Sequence, residues 1–294
     1  MTYDDVQRPL LLGLVGAGIG GSLSPSLHER EGRACGLPLT YRPVDAEELG
    51  FGVADLPDVL RWATRLGFDG LNVTHPFKQA VVPLLDEVSE AVDALGAVNT
   101  VVIRDGRTSG HNTDWSGFGR SLDRTLPDAP QDRVVLVGAG GAGVAVGYAL
   151  LRRGVGRLLV HDVDPARAAA CVAQLARSFP ADRLAVVDDL PRALAGADGL
   201  VHATPTGMHG HPGLPVPAEL VRADLWVADI VYFPLDTELV RLATERGCAV
   251  VPGGGMAVFQ AVGAFELFTD RRPDPERMLG HFAELTAAAT VSQG

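Results

Sequence analysis

The sequence predicts a two-domain α/β protein, and three observations support this prediction. The chain has 294 residues, more than a single hydrophobic core usually serves. Strand-like and helix-like stretches alternate along it, which is typical of sheets flanked by helices. A glycine-rich stretch near the middle lies directly between a predicted strand and a predicted helix. We therefore expect an N-terminal α/β domain with a mixed sheet, followed by a second domain with a doubly wound sheet.

The first domain is expected to span residues 1–114. Its predicted strands are residues 10–15, 40–44, 69–73, 97–103 and 107–110. Helices are predicted from Pro25 and over residues 56–66, 79–85 and 89–95. Asp105-Gly106 is a strong turn signal and predicts a hairpin between the last two strands.

The second domain is expected to span residues 115–254, with a helix over 114–126 and a linker at 127–130. Its predicted strands are residues 133–137, 157–161, 184–187, 199–202, 225–229 and 248–251. The helices between them are predicted to begin near Gly141, Pro165, Leu190 and Asp236, an arrangement typical of a doubly wound sheet. Residues 256–289 predict two more helices with no strand to pair. We expect the C-terminal part, residues 255–294, to pack back on the first domain.

The composition excludes several classes of partner. The net charge of −11 leaves nothing to neutralise phosphates, so we expect no nucleic acid and no anionic membrane surface. Residues 134–151 carry no charge, but their glycine-rich centre suits a tight turn better than a membrane span. Cys35, Cys171 and Cys248 are far apart and predict neither a disulfide framework nor a metal site. The N-terminus lacks a signal-peptide pattern, so we expect a cytoplasmic protein.

Two stretches match the pattern G-x-G-x-x-G, and their contexts differ. Residues 16–21 follow a strand, but the next helix begins too late for its amides to hold a pyrophosphate there. Residues 138–143 connect a strand directly to an apolar helix, as a Rossmann-type turn requires. The alternative for this second stretch is a plain tight turn. The residues expected to bind the dinucleotide are Gly138, Gly140, Gly141, Ala142 and Gly143.

The acid that ends the next predicted strand indicates which dinucleotide binds. Asp162 lies 24 positions after Gly138, where a carboxylate can accept hydrogen bonds from the adenosine ribose hydroxyls. The same carboxylate would repel a 2′-phosphate, and Val163 follows where a phosphate site would need a cation. The sequence therefore favours NAD over NADP, with Arg167 as the nearest cation.

Lys78 is the one lysine among 25 basic residues. An ammonium group can lose its proton and act as a general acid or base, whereas a guanidinium group does not. Lys78 follows a predicted strand and Pro76, at a predicted strand-to-helix junction where reactive side chains are commonly displayed. The alternative is an ordinary cation on a solvated helix face.

Other polar residues allow both a structural and a functional interpretation. Ser24 and Asp114 are well placed to cap helices, and Asn99 could satisfy backbone groups in a turn. Their joint presence with Lys78 and a dinucleotide turn favours a shared active site.

Seven short motifs carry a resemblance to a known family. They are residues 22–25 (SLSP), 72–78 (NVTHPFK), 96–100 (GAVNT), 112–114 (NTD), 138–143 (GAGGAG), 203–208 (ATPTGM) and 256–261 (MAVFQA). Together they resemble the shikimate dehydrogenase family, most closely its NAD-dependent quinate/shikimate dehydrogenase branch, over nearly the whole chain. The resemblance implies a substrate-binding domain, a Rossmann domain and C-terminal helices that return to the substrate side.

The resemblance also implies individual roles for the matching residues. It implies that Ser22 and Ser24 bind the substrate carboxylate. Thr74, Asn99 and Gln260 would contact ring hydroxyls, and Lys78 and Asp114 would form the catalytic pair. Further contacts of the cofactor would be Thr204, Pro205 and Gly255.

The chain departs from the family pattern at two points. NADP-using relatives carry Asn-Arg-Thr where this chain has residues 162–164 (DVD), which agrees with NAD. His202 replaces the Asn that usually precedes Ala203, with no evident consequence. Ser24 matches members that favour shikimate, whereas some quinate users have Thr there.

These observations predict an NAD-dependent dehydrogenase for a small cyclic hydroxy acid, shikimate, quinate or both. Lys78, alone or sharing a proton with Asp114, would take the hydroxyl proton while a hydride moves to the cofactor. The alternatives are a dehydrogenase for a related cyclic polyol or amino-substituted acid, a folate-linked methylene dehydrogenase, and a non-catalytic NAD-binding sensor. Both a monomer and a homodimer are compatible with the sequence.

Overall fold

The chain forms two compact units in a computed structural model that describes residues 8–291. The first unit contains residues up to Thr113 together with residues from Ala261 onward, and the second contains Asp114–Gln260. The expected boundaries after residues 114 and 254 therefore differ from these by one and six residues. Residues 127–130, expected to be a linker, lie inside the second unit.

Twelve strands and eleven α-helices make up the described part of the chain. In chain order they are β1 (Leu10–Gly16), α1 (Ser24–Ala34), β2 (Leu39–Asp45), α2 (Ala46–Leu49), α3 (Leu56–Arg65), β3 (Gly70–Val73), β4 (Glu87–Val88), α4 (Glu90–Leu95), β5 (Thr100–Arg104), β6 (Arg107–His111), α5 (Asp114–Thr125), β7 (Arg133–Val137), α6 (Gly141–Arg153), β8 (Arg157–His161), α7 (Pro165–Leu175), β9 (Leu184–Val186), α8 (Leu190–Ala195), β10 (Gly199–His202), β11 (Trp226–Asp229), α9 (Glu238–Glu245), β12 (Ala249–Val251), α10 (Gly254–Thr269) and α11 (Pro275–Val291).

The first unit contains a mixed six-stranded sheet, as expected. Its strand order is β2-β1-β3-β5-β6-β4. Strand β1 pairs in parallel with β2 and β3, whereas β5 is antiparallel to both β3 and β6. The predicted hairpin forms between β5 and β6, and Asp105 and Gly106 both adopt positive φ angles, 51° and 77°. A hairpin turn with two positive φ angles matches the twist of the flanking strands.

The second unit contains a parallel six-stranded sheet in the order β12-β11-β10-β7-β8-β9. Successive strands run outward from β7 in one direction and from β10 in the other. The carboxyl ends of β7 and β10 therefore flank the switch point at which such sheets bind ligands. The expectation of a Rossmann-type sheet is confirmed.

Helix α11 and the part of α10 from Ala261 onward belong to the first unit. Ala264 and Phe268 of α10 pack in a buried cluster with Leu12, Leu14 and Tyr41. The fit at the end of α10 is tight, because a Cβ atom on Gly70 would overlap the Phe268 ring.

An ion pair between half-buried Arg277 and buried Glu31 joins α11 to α1. Arg277 Nη2 donates to Glu31 Oε1 at 2.5 Å, and the Glu31 side chain has no exposed surface. Burial raises the pKa of Glu31, but hydrogen bonds from Arg277, Asp274 and Cys35 outweigh it, so this pKa lies below its usual value.

One predicted helix is absent from the structure, and one short strand was not predicted. Residues 79–85 do not form an α-helix; a turn leads into a short 3₁₀ helix at Val82–Leu84, where Pro83 lacks the N–H that an α-helix needs. The two-residue strand β4 was not expected, because two residues show no periodicity. Within residues 8–291, no helix is both long and apolar enough to span a membrane.

Candidate active site

In the first unit, Thr74 lies at the carboxyl edge of the sheet. The Thr74 N–H donates to the Val15 carbonyl at 2.9 Å, continuing the pairing of β3 with β1. A Cβ atom on Gly16 would overlap the Thr74 methyl group, so glycine at this position permits the close approach. The Thr74 side chain is half-buried at this edge.

The glycine-rich turn after β1 is bound by the protein itself. The Asp45 carboxylate accepts the N–H groups of Gly18 and Ile19 at 3.0 and 2.7 Å. Desolvation raises the pKa of Asp45, but backbone hydrogen bonds from Ile19, Glu47 and Gly18 outweigh it, so this pKa lies below its usual value. A carboxylate of the chain therefore occupies these two amides, and α1 begins only at Ser24, after the turn.

The two serines of the SLSP motif follow this turn. The Ser24 N–H donates to Ser22 Oγ at 3.3 Å. Ser24 is the first residue of α1, whose N-cap is Leu23 without a side-chain cap, so the capping role considered for Ser24 is not observed. Both serine side chains are half-buried.

Lys78 lies in a turn rather than on a helix, which corrects the expected strand-to-helix junction. Its carbonyl accepts the Val98 N–H at 2.8 Å, and so does not continue a helical ladder. Phe77 and Val81 on either side are fully buried and anchor the turn. The Lys78 side chain is half-buried, with its backbone tied directly to the residue before Asn99.

Asn99 is oriented by hydrogen bonds within the first unit. Its Oδ1 accepts the Thr113 N–H at 2.7 Å and the Thr100 hydroxyl at 3.0 Å, while its Nδ2 donates to Thr113 Oγ1 at 2.9 Å. Since a backbone N–H can only donate, the amide orientation of Asn99 is unambiguous. Asp114 follows Thr113 directly and begins α5.

A buried hydrogen-bonded pair, Tyr41 and Asn72, adjoins Asn99 and was not expected from the sequence. Tyr41 Oη donates to Asn72 Oδ1 at 2.8 Å, and Asn72 Nδ2 donates to the Asn99 carbonyl and to Thr100 Oγ1, each at 3.1 Å. Burial raises the pKa of Tyr41 far above its usual value, although a hydrogen bond with Ser24 acts in the opposite direction. The pair therefore connects Ser24 to Asn99 through neutral buried groups.

In the second unit, the glycines of residues 138–143 have distinct structural reasons. Gly138 has a φ of 104°, and a Cβ atom there would lie 2.6 Å from the Ala203 carbonyl carbon. A Cβ atom on Gly143 would lie 2.9 Å from the Gly138 carbonyl carbon and closer still to its oxygen. Gly140 and Gly141 are exposed, with no atom within 4 Å of an added Cβ. The open side of the turn, at the N-terminus of the 13-residue helix α6, therefore fits a dinucleotide pyrophosphate.

Asp162 is held beside this turn. Its Oδ2 accepts the Ala139 N–H at 2.8 Å, and its Oδ1 accepts the Asp164 N–H at 2.9 Å. Val163 is 95% exposed and supplies no cation. Arg167 Nε lies 3.5 Å from Asp164 Oδ2, so the Arg167 guanidinium forms an ion pair at the first turn of α7.

The loop after β10 contains Thr204 and Pro205. Pro205 is exposed, whereas the Thr204 hydroxyl lies 2.5 Å from His202 Nε2 and faces the protein interior. His202 in turn contacts Asp229, a pairing that the sequence analysis did not foresee.

Gly255 and Gln260 lie on α10 where it packs on α5. A Cβ atom on Gly255 would overlap the Ser121 hydroxyl. A Cβ atom on Gly117 would lie 2.6 Å from the backbone nitrogen of Gln260. Packing explains both glycines, and the cofactor role of Gly255 stays a prediction. Gln260 Nε2 donates to the Ala257 carbonyl at 3.2 Å.

Sequence comparisons agree with these features. Residues 14–101 match the family model of the shikimate dehydrogenase substrate binding domain. A shikimate dehydrogenase (NADP(+)) of Streptomyces avermitilis is 56% identical over 97% of this chain and 99% of its own length. A quinate/shikimate dehydrogenase (NAD(+)) of Corynebacterium glutamicum is 48% identical over 94% of this chain and 99% of its own.

Comparison of structures gives the same result. Quinate dehydrogenase from Corynebacterium glutamicum, solved in complex with NAD, superimposes with a TM-score of 0.90 and 47% sequence identity. The match covers 94% of this chain and 100% of that one. Identities of this size over nearly the full length of both chains, together with the site described above, show that the chain belongs to the shikimate dehydrogenase family.

Proposed function

We propose that this protein is an NAD-dependent dehydrogenase that reversibly oxidises shikimate, quinate or both to the 3-dehydro acid. The observation that carries the proposal is the Asp162 carboxylate, held by the Ala139 N–H beside the open face of a dinucleotide turn. Family membership supports the reaction class, and relatives named for shikimate and for quinate support the substrates. We assign substrate binding to the first unit and cofactor binding to the second.

The preference for NAD rests on charge, because relatives named for NADP and for NAD have similar identities of 56% and 48%. An adenosine 2′-phosphate would add about two negative charges near the Asp162 carboxylate. Each pair of charges at about 4 Å costs roughly 1 kcal/mol in water and about 4 kcal/mol at an effective dielectric constant of 20. Val163 offers no compensating cation, and Arg167 is paired with Asp164. We therefore expect NADP to be used much less efficiently than NAD.

Within the first unit, we propose that Ser22 and Ser24 bind the substrate carboxylate and that Thr74 and Asn99 contact ring hydroxyls. Gln260 of α10, the last residue of the second unit, stays a predicted contact of a ring hydroxyl. The Asn99 amide is oriented by its Oδ1, which accepts the Thr113 N–H, so Asn99 is positioned by the residue directly before α5.

The proposed reaction divides the work between cofactor and protein. When bound, the nicotinamide ring accepts the hydride that leaves the substrate carbon. Lys78, as a neutral amine or sharing a proton with Asp114, accepts the hydroxyl proton, and Asp114 follows the Asn99-bound Thr113 directly in the chain. Buried Phe77 and Val81 anchor the backbone of the turn from which the Lys78 side chain extends.

Two finer points complete the proposal. Three free cysteines suit the reducing cytoplasm, where we place the enzyme. The partner is a small cyclic hydroxy acid, and the enzyme acts as a monomer or a homodimer.

Initial rates with shikimate and with quinate, each with NAD and with NADP, test this function. We expect turnover of at least one acid with NAD and a much lower kcat/KM with NADP. NAD binding without turnover of either acid would favour a sensor or a different substrate, such as a related cyclic polyol or amino-substituted acid. Equal kcat/KM with both cofactors would contradict the NAD assignment.

The substrate site has its own test. A hydrogen bond to a charged group contributes roughly 1.5–3 kcal/mol, so Ser22→Ala or Ser24→Ala should raise the KM for the acid about tenfold or more. The dissociation constant for NAD should stay unchanged, because neither serine belongs to the second unit. Wild-type KM values in both variants would show that the carboxylate binds elsewhere.

A further inference from the structure

His202, at the carboxyl end of β10, joins three parts of the second unit through hydrogen bonds. Its ring is fully buried, with Nδ1 2.9 Å from Asp229 Oδ1 of β11 and Nε2 2.5 Å from Thr204 Oγ1. A buried imidazole with a partner on each nitrogen cannot turn without breaking a hydrogen bond in a desolvated site.

Asp229 is itself fixed from the other side. Its Oδ1 also accepts the Val231 N–H at 2.9 Å, and its Oδ2 accepts the Thr237 hydroxyl at 2.6 Å. Thr237 caps α9 by accepting the Val240 N–H at 3.1 Å. The chain of contacts therefore runs from the start of α9 through β11 to the end of β10.

The other end of this chain fixes the loop after β10. Thr204 Oγ1 accepts the Thr206 N–H at 3.2 Å as well as contacting His202. With its hydroxyl turned inward, Thr204 directs its methyl group at the glycine turn, where a Cβ atom on Gly138 would lie 2.8 Å from it. The hydroxyl and the methyl group of Thr204 are therefore both committed to contacts within the second unit.

The sheet order indicates which part of the dinucleotide meets this loop. Asp162, the proposed partner of the adenosine ribose, follows β8 on one side of β7, whereas β10 lies on the other side. A dinucleotide that crosses the switch point between β7 and β10 therefore places its nicotinamide half at the carboxyl end of β10.

We propose that His202 and Asp229 are positioning residues that fix the Thr204–Thr206 loop for the nicotinamide half of the cofactor. This inference rests on the proposed dinucleotide site. It also gives a role to the histidine that stands where the family pattern has asparagine.

Titrations with NAD and with ADP, which lacks the nicotinamide half, test the inference. We expect His202→Leu and Asp229→Asn to raise the dissociation constant for NAD about tenfold, and that for ADP less than twofold. A merely structural role would weaken both ligands alike. Thr244→Val, which removes an exposed hydroxyl bonded to the Val240 carbonyl of α9, is the matched control and should change neither constant.

Thr204→Val provides the decisive variant if either buried substitution prevents folding. It keeps the methyl group and removes only the hydroxyl that contacts His202. It should therefore raise the dissociation constant for NAD and leave that for ADP unchanged. Equal weakening of NAD and ADP, or no change in either, would overturn the inference. If the wild-type protein itself fails to bind NAD, the proposed function is refuted and this inference with it; wild-type NAD binding that Thr204→Val does not weaken refutes this inference alone.

Discussion

Alanine substitutions at Gly143 and Gly140 should separate the two purposes of the glycine turn, folding and cofactor binding. At Gly143 the added methyl would lie 2.9 Å from the Gly138 carbonyl carbon and closer to its oxygen, whereas ordinary contacts begin near 3.4 Å. The obstacle is the Gly138 carbonyl, a backbone group where buried Gly138 and Gly143 meet, so it cannot rotate away as a side chain could. Overpacking of this kind costs about 1–3 kcal/mol, and we expect the upper end for Gly143→Ala.

At Gly140 the same methyl meets no atom within 4 Å, and the φ of −73° suits alanine. The cost to folding is then only the loss of glycine as an N-cap, under about 1 kcal/mol. The methyl would, however, occupy the open face at which a pyrophosphate must approach the α6 amides. Hydrogen bonds to a charged group contribute roughly 1.5–3 kcal/mol, so the dissociation constant for NAD should rise about 10- to 100-fold.

Thermal melts without ligand and calorimetric titration with NAD measure the two effects. At about 2–4 °C per kcal/mol, Gly143→Ala should lower Tm by about 6–12 °C, and Gly140→Ala by no more than about 4 °C. Equal Tm losses in the two variants would refute the packing argument. Wild-type NAD affinity in Gly140→Ala would refute the assignment of the open face to the pyrophosphate.

Three further variants test other parts of the molecule. Lys78→Arg should lower kcat by about 10²–10⁴-fold with Tm unchanged, because guanidinium cannot take a proton; an Arg variant with most of the wild-type turnover would rule out this role. Asp162→Ala combined with Val163→Arg should narrow or invert the preference for NAD in kcat/KM, and an unchanged ratio would contradict the charge argument. Arg277→Met should lower the free energy of unfolding by about 2–4 kcal/mol at pH 7, since it leaves the buried Glu31 unpaired. The ion pair keeps the pKa of Glu31 low, so it stabilises the fold at neutral pH and ceases to do so as the carboxylate protonates. Denaturant titrations should therefore show that the variant and the wild type differ less in free energy of unfolding at pH 4 than at pH 7.

The sequence predicted both sheets because their determinants are local. Apolar runs, the Asp105-Gly106 turn and the strand–glycine–helix context of residues 138–143 each act within about twenty residues. The Lys78 turn was predicted wrongly because Pro76 resembles a helix start, while the Val98 N–H that binds the Lys78 carbonyl lies on a different segment. A hydrogen-bond donor from a distant segment, which takes the carbonyl that a helix would use, cannot be predicted from the local sequence pattern.

The two buried polar networks were missed for the same physical reason. Tyr41 and Asn72 lie on strands separated by β1, and their side chains meet only because of the register in which β2 and β3 pair with β1. His202 and Asp229 face each other because β10 and β11 pair directly, with these two residues in register. Singly, each of these residues looks like an ordinary polar residue near a strand end, and the pairing that gives it a partner is a property of the folded sheet.

The discontinuity of the first unit has a consequence for biosynthesis. Its residues up to Thr113 are made first, but Ala264 and Phe268, which cover Leu12 and Leu14, are made last. At about 5–20 residues per second, a ribosome needs about 10–40 s to add the remainder of the chain after Thr113. The second unit is continuous in sequence and can fold during that interval. The first unit cannot bury Leu12 and Leu14 fully until α10 has been made. Nascent chains are therefore most exposed to aggregation and to chaperones through the unit whose synthesis begins first.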